Sequence, residues 1–228
     1  MNDIMVSAFV PMKGHSERVP SKNTRMLGDV PLFYHILRSL TQAKQVYEIL
    51  VDTDSEKIKN LIRKDFPDVI TIDRPVELIG DKVPMTAIVE HDCRFVKTKH
   101  FLQTHATSPF IKPETIDAAI KAYFKGILGG FDSVMAVNRF QSRFYDHNQK
   151  PINHDPGIML PSQDMSPIYE DCSSFYINSV KRLLDSKKRV GDSPIFFEIA
   201  RLESVDIDTE EEFMLCEAIY EFLKKTKK

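Results

Sequence analysis

No stretch of the 228 residues approaches the roughly 18 to 20 consecutive apolar positions that a membrane-spanning helix needs. The opening run, MNDIMVSAFVPMKG, turns polar too soon for a secretory leader. Together these absences predict a cytoplasmic protein with no membrane partner. An excess of charge of one sign is also missing: 31 basic residues stand against 33 acidic ones, a formal net charge of −2. Such balance offers no broad basic surface for nucleic acid, so an anionic ligand must be met by a local cluster of cations. Cysteine is scarce. Cys93, Cys172 and Cys216 are odd in number, far apart and not at metal-binding spacing, which fits reduced thiols rather than a disulfide framework. Internal repeats and low-complexity tracts are absent, and the chain carries neither a G-x-x-x-x-G-K-S/T phosphate loop nor a G-x-G-x-x-G dinucleotide loop.

What the sequence does contain is an alternation of strand-like and helix-like segments. Met5 to Val10 is a short apolar run stopped by Pro11, and a polar loop continues to Gly28. From Leu32 to Ala43, Leu32, Ile36, Leu37 and Leu40 recur at helical spacing, and Pro31 suits the first turn. Glu48 to Val51 reads as a strand. Thr53 and Glu56 have capping-box spacing ahead of a helix from Glu56 to Asp65, and Val69 to Ile72 is again strand-like. The rhythm continues with a helix near Thr86 to Val96, a strand at His100 to Thr104, a helix from Pro113 to Phe124 and a strand at Ser133 to Val137. Further strands are predicted at Ser174 to Asn178, Phe196 to Ile199 and Ser204 to Ile207, before a closing helix from about Glu211 to Lys224. The lysine-rich tail KKTKK reads as a solvated helix end. Parallel strands need crossover connections, so this order predicts an α/β fold: one domain over residues 1–228 with a mainly parallel sheet between helices. Between Asn138 and Asp171 the pattern breaks into a polar, proline-containing stretch, a lid or an arm toward a partner subunit.

Chemistry concentrates in the first loop, PMKGHSERVPSKN, from Pro11 to Asn23. Lys13, Arg18 and Lys22 can neutralise phosphates, Ser16 offers a hydroxyl, and Gly14 lets the backbone approach an anion closely. In open α/β sheets ligands sit at the carboxyl ends of strands, where this loop is predicted to lie. Composition alone reads it equally well as a solvated basic loop.

Lys13-Gly14-His15-Ser16-Glu17-Arg18-Val19-Pro20-Ser21-Lys22-Asn23 resembles the signature loop R-x-G-S-K-x-I/L-P-x-K-N of the acylneuraminate cytidylyltransferases. Leu27 to Leu32 is similar to the turn that follows it there. Leu50-Val51-Asp52-Thr53-Asp54 resembles that family's V-S-T-D, and Arg74-Pro75-Val76-Glu77-Leu78 with Asp81 its R-P-x-E-L-x-x-D. The resemblance continues through HFLQTHATSP (His100 to Pro109) and through Ser204-Val205-Asp206-Ile207-Asp208-Thr209, which matches S-x-D-I-D-T. It implies a Rossmann-like three-layer sandwich of the nucleotide-diphospho-sugar transferase type with a dimerisation arm at 138–171. It implies CTP and an acidic sugar as substrates, Mg2+ as cofactor and a homodimer.

Carried over position by position, the resemblance gives Lys13, Lys22 and Asp208 catalytic roles, and gives Lys13, Gly14, Ser16, Arg18, Lys22 and Asn23 to the nucleotide. Lys13 keeps the charge of the usual arginine without its fork, and Glu17 reverses the sign of a lysine, for which Arg18 is the substitute. The family's glutamine falls on Gln103 by identity and on His105 by spacing from Pro109, and both stand as nucleotide contacts. Asp206 and Asp208, two apart in a predicted strand, share one face and form the expected magnesium pair; a helix cap is the other reading of Asp208. Asp54 reads as a helix cap. For the acceptor, the family's N-G-A-x-Y corresponds to Cys172-Ser173-Ser174-Phe175-Tyr176, and Gln163 keeps a glutamine while Ser162 stands in an arginine's place. Arg143, Gln163 and Ser174 are the expected acceptor contacts, with Arg139 also available to a carboxylate. Rival readings are a nucleotidyltransferase for a sugar or polyol phosphate, a GT-A glycosyltransferase using Asp52-Thr53-Asp54, and a nucleotide-binding module without catalysis. An aspartate phosphatase would need a D-x-D after the first strand, where this chain has Pro11-Met12-Lys13.

Overall fold

The computed structural model describes residues 4–226; Met1–Asp3 and the last two lysines of the basic tail lie outside the described residues. The chain runs through β1 (Val6–Phe9), the hairpin strands β2 (Met26–Leu27) and β3 (Val30–Pro31), α1 (Leu32–Gln42), β4 (Val46–Thr53), α2 (Glu56–Asp65) and β5 (Ile70–Asp73). It continues with α3 (Met85–Asp92), β6 (His100–Thr104), α4 (Pro113–Ile127), β7 (Ser133–Phe140), β8 (Ile168–Ser179), α5 (Val180–Ser186), β9 (Pro194–Glu198) and α6 (Glu210–Thr226). Seven strands form one sheet in the order β5-β4-β1-β6-β8-β7-β9, and only β8 runs antiparallel to its neighbours.

Strand alternation divides the core between the two faces of this sheet. Val6, Ala8, Val10, Ile49, Val51 and Leu102 point to one face, where they meet Ile36, Leu37 and Leu40 of α1, Ile58 and Ile62 of α2, and Ile116, Ala119 and Ile120 of α4. Phe9, Leu50 and Phe101, each one residue out of step, point to the other face and pack on Val89 of α3 and Leu183 of α5. The expected three layers are therefore present. The same alternation sends the polar Asp52 and Gln103 to the α3/α5 face, since each lies two residues beyond a residue of that second cluster.

A third cluster sits outside the sheet, where Val19 of the first loop, Leu27 of the hairpin and Leu32 at the start of α1 meet Ile207, Phe213 and Cys216. Gly28 allows this closeness: its φ is +64°, and an added Cβ would lie 2.0 Å from the Tyr220 ring. Arg25 reinforces the contact, with its guanidinium 3.8 Å from the centre of the Phe213 ring and an ion pair to Glu210. Helix α6 and the segment before it are thereby clamped to the first loop.

Several sequence expectations need correction. Ser204 to Ile207 is not a strand: no sheet partner is present, and Ile207 is buried in the third cluster instead. Helix α2 is capped by Ser55, whose Oγ accepts from Ile58 N at 3.4 Å, because β4 carries Thr53 to its buried end before the helix begins. Helix α3 ends at Asp92 rather than Val96. The irregular stretch is shorter than 138–171. Asn138, Arg139 and Phe140 pair with Glu170, Tyr169 and Ile168, so its ends are zipped into β7 and β8 and only 141–167 is loop. The box at the last helix is as expected: Glu212 N donates to Thr209 Oγ1 at 3.3 Å, and Thr209 N donates to Glu212 Oε2 at 2.8 Å. Among the described residues no helix is long and apolar enough to cross a membrane.

Candidate active site

After β1 the chain adds β4 and β5 on one side, then returns to place β6 on the other. Neighbouring crossovers diverge at such a point, leaving a crevice at the carboxyl ends of the strands. Here it is a cleft of about 410 Å³, lined from the β1 loop by Lys13, Lys22 and Asn23, from the β6 loop by His105 and Thr107, and from before α6 by Asp206 and Asp208. That volume is within the range of small-ligand sites.

The first loop is held by its neighbours rather than by secondary structure. Met12 N donates to Asp52 O at 2.9 Å, extending the β1–β4 pairing, and Gly14 N donates to Asp54 Oδ1 at 2.6 Å. Asp54 is thus an anchor for the loop, not the helix cap expected of it. A Cβ on Gly14 would lie 2.7 Å from Ser55 Cβ, so only glycine seats the loop this closely on α2. Buried Asn23 donates from Nδ2 to Lys13 O at 2.8 Å and ties the two ends of the loop together. Lys13 is paired with Asp81, and Lys22 Nζ is 3.3 Å from Asp208 Oδ1. Gly14, Ser16 and Arg18 are outside the cleft wall, though Arg18 reaches it by an ion pair to Asp208 at 2.8 Å.

Asp206 and Asp208 converge on the cleft without being in a strand. Ile207 between them is fully buried, and its anchoring turns both neighbours the other way. Burial pushes the Asp206 carboxyl above the ordinary carboxylate range, against a hydrogen bond from Thr107 that favours the ionised form. Its Oδ1 is buried with no hydrogen-bond partner. An orphaned carboxylate oxygen beside a second carboxylate is a fitting donor set for magnesium, which takes oxygen ligands and fills its remaining positions with water and phosphate. A second group, Asp52, His91 and Asp92, has ligand atoms all within 4.8 Å of one another and could hold a metal ion. That group is closed off beneath the cleft, with Asp52 already paired to Arg74 and both acids buried. It therefore presents no open face for phosphate. The same burial removes Asp52-Thr53-Asp54 as an exposed metal motif.

The geometry separates Gln103 from His105. Gln103 is fully buried and His105 lines the cleft. Arg189 Nη1 donates to Gln103 Oε1 at 3.1 Å, so the amide nitrogen of Gln103 is the donor across its 2.9 Å contact with His105 Nε2. The imidazole must then carry its proton on Nδ1. Burial first, and the nearby Arg189 and Lys22 charges next, hold its pKa down to about 4, so at neutral pH it is an uncharged hydrogen-bond donor.

The expected acceptor contacts are not brought to this cleft. Arg143 donates to Leu160 O at 2.6 Å and belongs, with Asp164 and Met165, to a separate pocket within the 141–167 loop. Gln163 accepts through its backbone O from Gln141 and lies in the same loop, and Arg139 turns to Gln141 at 2.8 Å. Ser174 is fully buried: its backbone O accepts from Thr104 Oγ1 at 2.7 Å and its Oγ lies 3.4 Å from Cys172 Sγ. Four residues, Cys172 to Phe175, stand opposite Ala136 alone, since Asp171 pairs with Val137 and Tyr176 with Met135. This bulge, with Ser173 at φ 55°, turns Ser173 rather than Ser174 into the cleft. Arg74 and Arg189 also line the cleft, and no role was assigned to either from sequence. The only local sign of Arg189 is its position in the basic run Lys187-Lys188-Arg189 ahead of Gly191.

The family profile described as cytidylyltransferase matches residues 7–226. The chain belongs to that family. It is 27% identical to CMP-N,N'-diacetyllegionaminic acid synthase of Legionella pneumophila, over 95% of this chain and 96% of that one. It is 25% identical to N-acylneuraminate cytidylyltransferase A of Danio rerio over 93% of this chain, which spans half of that longer protein. Among solved structures, a CMP:2-keto-3-deoxy-manno-octonic acid synthetase complexed with CTP superimposes with a TM-score of 0.70 at 12% identity, covering 97% of this chain and 99% of that one. A 4-diphosphocytidyl-2C-methyl-D-erythritol synthase from Anaerococcus prevotii gives 0.67, also at 12%. At such identities the two structures establish the shared fold, a mostly parallel sheet.

Proposed function

We propose that this cytidylyltransferase joins CMP from CTP to a 2-keto-3-deoxy sugar acid and releases pyrophosphate. The observation that carries the reading is the convergence of Lys13, Lys22, Asp206 and Asp208 on one cleft at the β1/β6 switch point. The similarity to a CMP-N,N'-diacetyllegionaminic acid synthase and to an N-acylneuraminate cytidylyltransferase supports an acid of that kind as acceptor. In the reaction the acceptor hydroxyl attacks the α-phosphorus in line; a new P–O bond forms, the bond to the pyrophosphate oxygen breaks, and the hydroxyl proton passes to water. Lys13 and Lys22 hold the phosphates and neutralise the charge that builds on the leaving pyrophosphate. To do so each exchanges its resting partner, Asp81 or Asp208, for phosphate. Asn23 keeps Lys13 in place by holding its backbone carbonyl. Asp206 and Asp208 would hold Mg2+, and the ion would supply Lewis-acid stabilisation of the phosphate charge there.

The 141–167 loop, which exposes Tyr145, Ile152, Ile158 and Met159, is read as the arm of a homodimer; a monomer by light scattering at working concentration contradicts that part. The catalytic reading is tested by pyrophosphate release from CTP and Mg2+ with a panel of neuraminate, legionaminate, pseudaminate and 3-deoxy-octulosonate, and with a polyol phosphate as a separate arm. Release with at least one sugar acid is expected. Release with the polyol phosphate alone replaces the acceptor class, and no release at all refutes the reading.

A further inference from the structure

Four cations line the cleft: Lys13, Lys22, Arg74 and Arg189. Three are already matched by carboxylates, Lys13 by Asp81, Lys22 by Asp208 and Arg74 by Asp52. Of these four, and within the described residues, Arg189 alone has no carboxylate within ion-pair distance. Its side chain meets two neutral groups: Nη1 donates to Gln103 Oε1 at 3.1 Å, and the guanidinium carbon lies 4.1 Å from the centre of the Tyr176 ring. An arginine stacked on an aromatic face and held by one nitrogen keeps its remaining N–H groups available in a fixed fork.

The segment that carries Arg189 is built to hold it still. Asn178 Nδ2 donates to Arg189 O at 3.2 Å. Two residues on, Gly191 N donates to Ser133 Oγ at 2.8 Å, and Asp132 accepts from Asp192 N at 2.9 Å and from Ser193 N at 3.2 Å. A side chain on Gly191 is excluded, because its Cβ would lie 1.7 Å from Asp132 Oδ1. The aromatic support is fixed as well: the Tyr176 hydroxyl donates to the Asp171 carboxylate at 2.8 Å, and Asp171 accepts from Ser173 N at 2.9 Å.

Position decides what this unmatched charge is for. The phosphate-binding lysines come from the loop after β1, whereas Arg189 stands with Gln103 of β6 and with Ser173 and Tyr176 of β8. In the sheet order β4-β1-β6-β8 that is the side away from the nucleotide loop. The side chains expected to meet the acceptor, Arg143, Gln163 and Ser174, are elsewhere, so the acceptor's acid group has no other cation on this wall.

We propose that Arg189 binds the carboxylate of the acidic acceptor, presenting its free N–H groups to the two oxygens while Gln103 and Tyr176 fix the plane of the guanidinium. The inference rests on the sugar-acid reading above. It is tested on the full chain by steady-state kinetics of Arg189→Gln and Arg189→Lys, with sugar acid and CTP varied separately. For Arg189→Gln the acceptor KM should rise about tenfold to a hundredfold, the range for a lost hydrogen bond to a charged group, with the CTP KM unchanged. Arg189→Lys, which keeps the charge and loses the fork, should fall between; it also serves if the glutamine variant does not fold. A further arm compares the acid with its C1 amide: the wild-type chain should prefer the acid, and Arg189→Gln should lose that preference. A rise in the CTP KM instead makes Arg189 a phosphate ligand and overturns the proposal, as does an unchanged acceptor KM. Wild-type inactivity on every sugar acid overturns the underlying reading and this inference with it, an outcome distinct from the other two.

Discussion

Beneath the cleft, Arg74 is matched by a pair of acids rather than by one, and mutation can separate their roles. The Asp52 and Arg74 side chains are 0% and 5% exposed and form an ion pair. Burial first, and the Asp52 charge next, push the Asp92 carboxyl up to about 9, so Asp92 keeps its proton at neutral pH and shares a hydrogen bond with Asp52. Asp52 Oδ2 and Asp92 Oδ2 otherwise have no partner, and that proton supplies a donor for one of them. Asp92→Asn replaces a protonated acid by a neutral amide, and should change stability by less than about 1 kcal/mol near pH 4, where the unfolded acid also holds much of its proton. Asp52→Asn removes the charge opposite Arg74 and also the repulsion that keeps Asp92 protonated. Asp92 then ionises in its place, and the loss is limited to roughly 1–2 kcal/mol. The double variant leaves a buried guanidinium unpaired, at about 3–5 kcal/mol. The two substitutions are therefore more damaging together than the sum of the parts, by on the order of 1–3 kcal/mol. Urea unfolding near pH 4, at constant m, reads all four corners of this cycle. The pH dependence gives a second reading. Because the unfolded acid ionises near its ordinary value while the native one keeps its proton, the Asp92 contribution falls as pH rises from about 4 toward 9, and Asp92→Asn should remove that slope. Equal damage from the two single variants, or strict additivity, refutes the shared-proton arrangement.

Other consequences follow from the same structure. Asp208→Ala should abolish turnover while leaving the unfolding midpoint nearly unchanged, because Asp208 is half exposed and its contacts are ion pairs to Arg18 and Lys22; full activity in that variant removes the metal pair. Lys22→Ala should raise the CTP KM about tenfold or more, and an unchanged CTP dependence moves the triphosphate elsewhere. Gly28→Ala should destabilise the chain by about 1–3 kcal/mol in thermal or urea unfolding, since φ is +64° and the new Cβ would meet the Tyr220 ring at 2.0 Å; wild-type stability would show that the hairpin and α6 are not clamped as described.

Local periodicity made the layers of the fold legible in the sequence, because burial on one stripe or on alternate residues is written directly into residue order. It misled where alternation had another cause. Val205, Asp206, Ile207 and Asp208 alternate because Ile207 is anchored under α6, not because a neighbouring strand pairs with them. The start of β8 was missed for a related reason. Ile168 to Asp171 is polar on an exposed face, and its partner is the end of β7, across a loop that carries no pattern of its own. At the site, collinear motifs located Lys13, Lys22, Asn23, Asp206 and Asp208, all of which line one cleft. Arg189 and the Asp52–Asp92 pair were not legible. Their meaning depends on contacts over 86 and 40 residues of chain, Arg189 with Gln103 and Asp92 with Asp52, which no local spacing encodes. Nor did identity alone order Gln103 behind His105; that follows once β6 is placed in the sheet, because Gln103 lies within the buried strand and His105 just past its end at the cleft.

The most direct test of the central claim is phosphorus NMR of CTP incubated with the full chain, Mg2+ and each sugar acid in turn. The account predicts that, with at least one acid, the three CTP resonances give way to pyrophosphate and one new phosphodiester signal in equal amounts. CTP that persists unchanged with every acid, or that loses only its terminal phosphate, contradicts it.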